Sequence, residues 1–256
     1  MITAGIDVGA KFVKVVILRD DGIVGKSKVL TGFEQKESAK QALAAALGAA
    51  GVAPEDLDRA AATGAGREAA PGNPLEVTEV TAAAIGALHL DGSARTVIDI
   101  GAEEGRAIKA SEDGRVMDFA INEKCAAGSG AFTEAMARAL ETPVEKIGAL
   151  SLESGQAIPM NAQCAVFAES EVVSLLHAKT PKSDIARAVH DAIADRIVSM
   201  ARKVGVEREI VLAGGMAFNV GFVDSLKRKL EVDALLIPDD PEYLGAHGAA
   251  IVALEK

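Results

Sequence analysis

The sequence has no tryptophan, one tyrosine and seven phenylalanines, so aromatic residues make up only 3% of it. Stacking platforms of the kind that hold single-stranded nucleic acid are therefore missing. Positive charge is also short: the formal net charge of −10 argues against nucleic acid or anionic lipid as the main partner. No apolar run approaches the roughly 20 residues that a membrane span needs. Strand-like residues begin at Ile2, where a signal peptide would carry its basic and apolar regions. The expectation is a cytoplasmic chain with no membrane partner. Histidine is scarce, and none of His89, His177, His190 and His247 stands in a metal-ligand spacing with the cysteines. No Ser–His–Asp or paired-carboxylate hydrolase constellation is present.

What the sequence does have is small and aliphatic. Hydrophobic residues make up 49% of the 256 positions, so the core must be built from Ala, Val, Ile and Leu. That length holds one large or two ordinary domains. Ile2 to Gly9 reads as a strand ending in Asp7-Val8-Gly9-Ala10. The β-branched run Phe12 to Leu18, an Asp20-Asp21-Gly22 turn and the strand Ile23 to Leu30 follow. The theme then repeats. Arg95 to Ala102 ends in Asp99-Ile100-Gly101-Ala102, followed by Arg106 to Ala110, a Glu112-Asp113-Gly114 turn and Val116 to Ile121. Glycine lets a phosphate approach the backbone, and the aspartate can hold magnesium or its water. One Asp-x-Gly means little, but two copies at the head of the same hairpin form an internal repeat. Facing each other, they would put Asp7 and Asp99 on opposite walls of one phosphate-binding cleft.

Between and after the hairpins, alanine-rich helices are expected at Ser38–Gly48 and from Thr78 to Leu88, with a strand from Leu57 to Thr63 leading into Gly64-Ala65-Gly66-Arg67. A long amphipathic helix over Ser183–Lys203 places Ile185, Val189, Ile193, Ile197 and Met200 on one face. The strand Glu209–Ala213 runs into the diglycine bend Gly214-Gly215, which either lies against an adenosine or simply turns strand into helix. A last strand is expected at Leu235–Pro238, and a closing helix from Gly245.

Both cysteines head helix-like runs: Cys125-Ala126-Ala127-Gly128-Ser129-Gly130 before Thr133–Leu140, and Cys164-Ala165-Val166-Phe167-Ala168-Glu169-Ser170-Glu171. Near a helix N-terminus the partial positive charge favours a thiolate. Two thiolates cannot fill the ligand set of a zinc ion or a cubane cluster, which takes about four. Two subunits on a two-fold axis could. The residues alone leave open inert buried thiols and an intrachain disulfide.

The ordered set Asp7-x-Gly9, Ala62-Thr63-Gly64-x-Gly66-Arg67, Asp99-x-Gly101, the two cysteine motifs and Gly214-Gly215 resembles the ATPase family of 2-hydroxyacyl-CoA dehydratase activators and benzoyl-CoA reductase ATP-binding subunits. The likeness covers nearly the whole chain, and its cysteine motifs are the most specific part. It implies an α/β fold of the actin/hexokinase/Hsp70-like class, with two ribonuclease-H-like domains around a nucleotide cleft. The first domain would be 1–93, closed by a C-terminal helix over 244–256, and the second 94–243 with the cysteine helices. It also implies ATP and Mg2+, and a [4Fe–4S] cluster shared by a homodimer or a paired related subunit. A ferredoxin-like donor and an acyl-CoA reductase or dehydratase as electron acceptor would be the partners. Residue by residue, Cys125 and Cys164 become cluster ligands, and Asp7, Asp99 and Glu103 fall on catalytic positions. Gly9, Ala10, Lys11, Lys14, Gly101, Ala102, Gly128, Gly214 and Gly215 fall on cofactor contacts.

The chain departs from the activators in two places. Ala10 lacks the hydroxyl they carry after the first Asp-x-Gly, and Ala102-Glu103-Glu104 replaces their Gly-Gln-Asp, losing the amide that would position the attacking water. Asp99 to Ala102 with Gly105-Arg106-Ala107-Ile108 is more similar to a benzoyl-CoA reductase ATPase subunit. A small-molecule kinase and a non-hydrolysing ATP sensor on the same fold are the rival expectations.

Overall fold

In chain order, the first β-branched stretches form strands β1 (Ile2–Val8), β2 (Phe12–Arg19) and β3 (Gly22–Leu30). Helix α1 (Gln35–Ala50), β4 (Arg59–Thr63), a two-residue β5 (Leu75–Glu76) and α2 (Glu79–Leu90) follow. The second half runs β6 (Thr96–Ile100), β7 (Gly105–Ala110), β8 (Val116–Asn122), α3 (Gly130–Ala139), α4 (Val144–Leu152), α5 (Ala165–His177) and α6 (Lys182–Val204). It finishes with β9 (Ile210–Ala213), α7 (Val220–Leu230) and α8 (Leu244–Glu255). This computed structural model describes residues 1–122, 129–160 and 164–256.

The chain divides into two units. The first comprises Met1–Arg95, Ala110–Met117 and Glu242–Lys256. Its sheet has the order β3-β2-β1-β4-β5, with β1 antiparallel to β2 and parallel to β4. Alternation along the strands sorts the side chains. Val13, Val15 and Ile17 of β2 join Ala4, Ile6 and Val8 of β1 under Ala39, Ala42, Ala46 and Leu47 of α1. Val16 and Leu18 pack with Ala246 and Ala250 of α8. On that second face β1 has Thr3, Gly5 and Asp7. The Thr3 hydroxyl donates to the Ala250 carbonyl at 3.0 Å, and a Cβ on Gly5 would overlap the Ala246 carbonyl. The small residues let helix backbone sit directly on strand backbone, which is how a core poor in aromatics still packs densely.

The second unit comprises Thr96–Lys109 and Asp118–Pro241. Its sheet has the order β8-β7-β6-β9, again with one antiparallel hairpin and one parallel neighbour, β9 on β6. Ile98, Ile100, Ile210 and Leu212 pack under Phe132 and Met136 of α3, Val172 of α5, and Ile185, Val189, Ile193 and Ile197 of α6. All five apolar positions expected on the inner face of α6 are buried. Two details differ from the sequence reading. The strand expected at Leu235–Pro238 is a single parallel bridge, Leu236 to Val211, because Pro238 lacks the N–H that would extend a ladder. Helix α4 was not anticipated.

Candidate functional site

In the first unit the last turn of β1 carries Asp7. Its register partners are Lys14 on β2 and Thr63 on β4. The Lys14 ammonium donates to Asp7 Oδ2 at 2.6 Å, with both side chains less than one-fifth exposed. Water competes poorly there, so the pair holds the carboxylate in one rotamer. Behind it β4 is followed by Gly64, whose φ is +92°; a Cβ there would lie 2.6 Å from Asp7 Oδ1. Gly245, in the first turn of α8, comes as close as 3.8 Å by the same measure. The loop that follows Asp7 is closed by Gly9 N–H on the Phe12 carbonyl at 3.1 Å, and leaves Ala10 and Lys11 exposed. Thr63 is buried, and its hydroxyl has no hydrogen-bond partner among the described residues.

The second unit repeats this arrangement further than the sequence showed. Asp99 lies opposite Arg106 on β7 and Ala213 on β9, as Asp7 lies opposite Lys14 and Thr63. The Arg106 guanidinium, 8% exposed, reaches Asp99 Oδ2 at 3.3 Å and Glu104 Oε2 at 2.5 Å. Gly214 is the counterpart of Gly64: φ is +80°, and a Cβ would lie 2.7 Å from Asp99 Oδ1 and overlap the Ile100 carbonyl. Each unit thus builds a carboxylate, a cross-strand base and a left-handed glycine at the ends of three adjacent strands. Gly101 N–H closes the second loop on the Glu104 carbonyl at 2.8 Å. Gly101 and Ala102 are half-buried and Glu103 is exposed. Gly215 is exposed, with nothing within 4 Å of a Cβ built on it.

The remaining expected positions separate. Cys125 and Gly128 lie outside the described residues. Cys164 is a free, half-buried thiol at the N-cap of α5, in extended backbone with φ −143° and ψ 137°. That is the helix-mouth placement read from the sequence. Among the described residues no three His, Cys, Asp or Glu side chains converge as a metal site. Asp7 and Asp99 each offer a single carboxylate, which suits a magnesium ion that keeps its waters and binds through phosphates.

Two side chains of the site, Arg106 and Thr63, have no role in the reading from sequence. Arg106 was legible: it stands seven places after Asp99, as Lys14 does after Asp7. Thr63 had no such signal, because its neighbour Asp7 comes from a parallel pairing. His190 is a core residue, accepting from Asn219 Nδ2 at 3.0 Å, and burial lowers its pKa to about 4. His247, 5.1 Å from His89 ring to ring, is lowered to about 4 by burial and then by His89.

Known proteins resemble this chain over nearly its whole length. Over 256 residues the chain is 37% identical to the (R)-2-hydroxyglutaryl-CoA dehydratase activating ATPase of Acidaminococcus fermentans, covering 99% of this chain and 97% of that protein. It is 34% identical to a benzoyl-CoA reductase subunit of Thauera aromatica, covering 98% and 92%. The solved activator of the 2-hydroxyisocaproyl-CoA dehydratase from Clostridium difficile, with bound ADPNP, superposes with a TM-score of 0.92 at 34% identity, covering 100% and 95%. A ROK family glucokinase from Streptomyces griseus, at 16% identity and a TM-score of 0.57, shares the fold alone. The fold is therefore the actin/hexokinase/Hsp70-like one. Residues 4–253 match the BadF/BadG/BcrA/BcrD ATPase family, and the chain belongs to it.

Proposed function

We propose that this protein is an ATP-driven electron-delivery component. It would bind Mg–ATP, each Asp-x-Gly loop being suited to phosphate, and pass low-potential electrons from a ferredoxin-like donor to an acyl-CoA reductase or dehydratase. The observation that carries the reading is Cys164. A half-buried free thiol at the N-cap of α5 sits in the unit that also holds a carboxylate–arginine phosphate loop. A helix N-terminus suits an anionic cluster as it suits a phosphate. Cys164, with Cys125, would hold the [4Fe–4S] cluster between two subunits. When bound, that group supplies a one-electron carrier of low potential.

In this reading the chain's own residues do the rest. Asp7 and Asp99 orient the metal's water shell. Lys14 and Arg106 balance their charge and fix their rotamers. The tight turns at Gly64 and Gly214 keep side chains off the phosphates, and exposed Gly215 leaves bare backbone for the adenosine. Exposed Glu103 stands where activators carry Gln, so it would accept a proton from the attacking water rather than orient that water by an amide. Asp99 to Ala102 with Gly105 to Ile108 favours the benzoyl-CoA reductase type of partner. A related second subunit, rather than a copy of this chain, would then complete the cluster.

Iron and acid-labile sulfide, on protein purified anaerobically together with any subunit that accompanies it, test the reading. The expected result is about four irons per two chains, lost in Cys164→Ser, with ATP-dependent reduction of the acceptor. No iron after anaerobic reconstitution would overturn it. Phosphate transfer to a small molecule that survives loss of both cysteines would replace it with the kinase reading.

A further inference from the structure

The loop after β6 has a second side. Its carbonyls at Gly101 and Ala102 accept the amides of Gly130, at 3.0 Å, and Ala131, at 2.8 Å. These are the first two residues of α3, whose opening amides have no partner within the helix. The approach is close, for a Cβ on Gly130 would sit 3.3 Å from the Gly101 oxygen. The first unit has the corresponding joint: the Gly9 and Lys11 carbonyls accept the Thr31 hydroxyl at 2.7 Å and the Thr31 amide at 3.0 Å, just before α1. Each repeat therefore ties the chain after its hairpin to its own Asp-x-Gly loop, in the second repeat through the helix itself. In the second repeat the Cys125 motif lies in the stretch of chain between hairpin and helix.

Peptide planarity gives this joint a direction. In a trans peptide the N–H points opposite the C=O. With the Gly101 and Ala102 carbonyls on α3, the amides of Ala102 and Glu103 point away from it. An anion taken up by those amides bonds to the very peptide units whose carbonyls hold α3. Polarising an amide from its N–H side makes its carbonyl a better acceptor. Arg106 ties the two ends of the loop, through Asp99 and Glu104, so the four-residue turn responds as one piece.

We propose that Gly101, Ala102 and Gly130 form the joint by which nucleotide at the second loop tightens the N-terminus of α3, the helix that follows the Cys125 motif. The inference rests on the ATP-binding part of the functional reading and needs no cluster. The test is amide hydrogen exchange at residues 131–134, with and without adenylyl imidodiphosphate, while calorimetry follows nucleotide binding in the same samples. Wild type should exchange about tenfold more slowly with nucleotide, within the range usual for coupled sites. Gly130→Ala keeps the N–H and should keep the response. Gly130→Pro removes it, Ser129 before it being already in the extended conformation that proline requires; with only the Ala131 amide left on the loop, the slowing should fall several-fold. Nucleotide that binds wild type without slowing exchange overturns the proposal, and so does a full response in folded Gly130→Pro. If Gly130→Pro fails to fold, the wild-type result decides alone. Absence of nucleotide binding would instead remove the functional reading, and this inference with it.

Discussion

Gly214 and Gly215 are adjacent and face opposite demands. Gly214 has φ of +80° and no room for a Cβ, whereas Gly215 is exposed with open space around it. Gly214→Ala should cost at least about 1–2 kcal/mol from the left-handed conformation alone. It should also weaken nucleotide binding by pushing on Asp99 and the Ile100 carbonyl. Gly215→Ala should leave stability within about 0.5 kcal/mol. Thermal unfolding and nucleotide titration of the two variants side by side check this; equal losses would mean that the bend tolerates a side chain. The sequence offered the pair as one motif and could not say which glycine was needed, because the distinction is made by β6, more than a hundred residues away in the chain. Arg106 is the opposite case. The repeat that located Asp99 could also have located its base, through the same seven-residue interval that separates Asp7 from Lys14. Thr63 has no such sequence companion, and only the parallel register with β1 reveals it.

Among the elements, α7 shows how local signals and tertiary partners combine. Asn219 caps it, its Oδ1 accepting from Gly221 at 3.1 Å and Phe222 at 3.0 Å, while its Nδ2 meets His190 on α6. Asn219→Ala removes the cap and leaves His190 without that partner. It should destabilise by about 1–2 kcal/mol, which for a chain of this size lowers the unfolding midpoint by about 5 °C. Asn219→Asp keeps the cap and loses the amide donor, so calorimetry on both variants separates the two contributions. The hairpins and the long helices were legible because each writes a period into contiguous sequence. What completes each half, β4 beside β1 and β9 beside β6, was not. A four- or five-residue apolar strand carries no mark of its parallel neighbour, which is why the repeat looked like a hairpin and is in fact a hairpin with a third strand and its glycine.

At the scale of the molecule, stability depends on pH. His190 ties the pH dependence to the core. It is fully buried and neutral, with a pKa lowered from 6.5 to about 4 by burial. Below pH 6.5 the unfolded chain takes up a proton that the folded chain refuses. Stability therefore falls as pH drops from 6.5 toward 4, by about 3 kcal/mol at most from this group. Chemical denaturation across that range should show the slope in wild type and a shallower one in His190→Gln. An unchanged slope would assign it to other groups. At this scale the reading from sequence went furthest: family and fold followed from the order of the motifs, although no one of them was strong alone.

The return of α8 to the first sheet has one more consequence, for synthesis. Thr3 and Gly5 are covered by residues 246–250, so the unit that leaves the ribosome first is finished last. Its sheet must wait, one face open, until the second unit, residues 96–241, has been made and can already fold. A nascent chain of this protein therefore carries its exposed apolar surface at the N-terminal end, and that is where a ribosome-associated chaperone would find it.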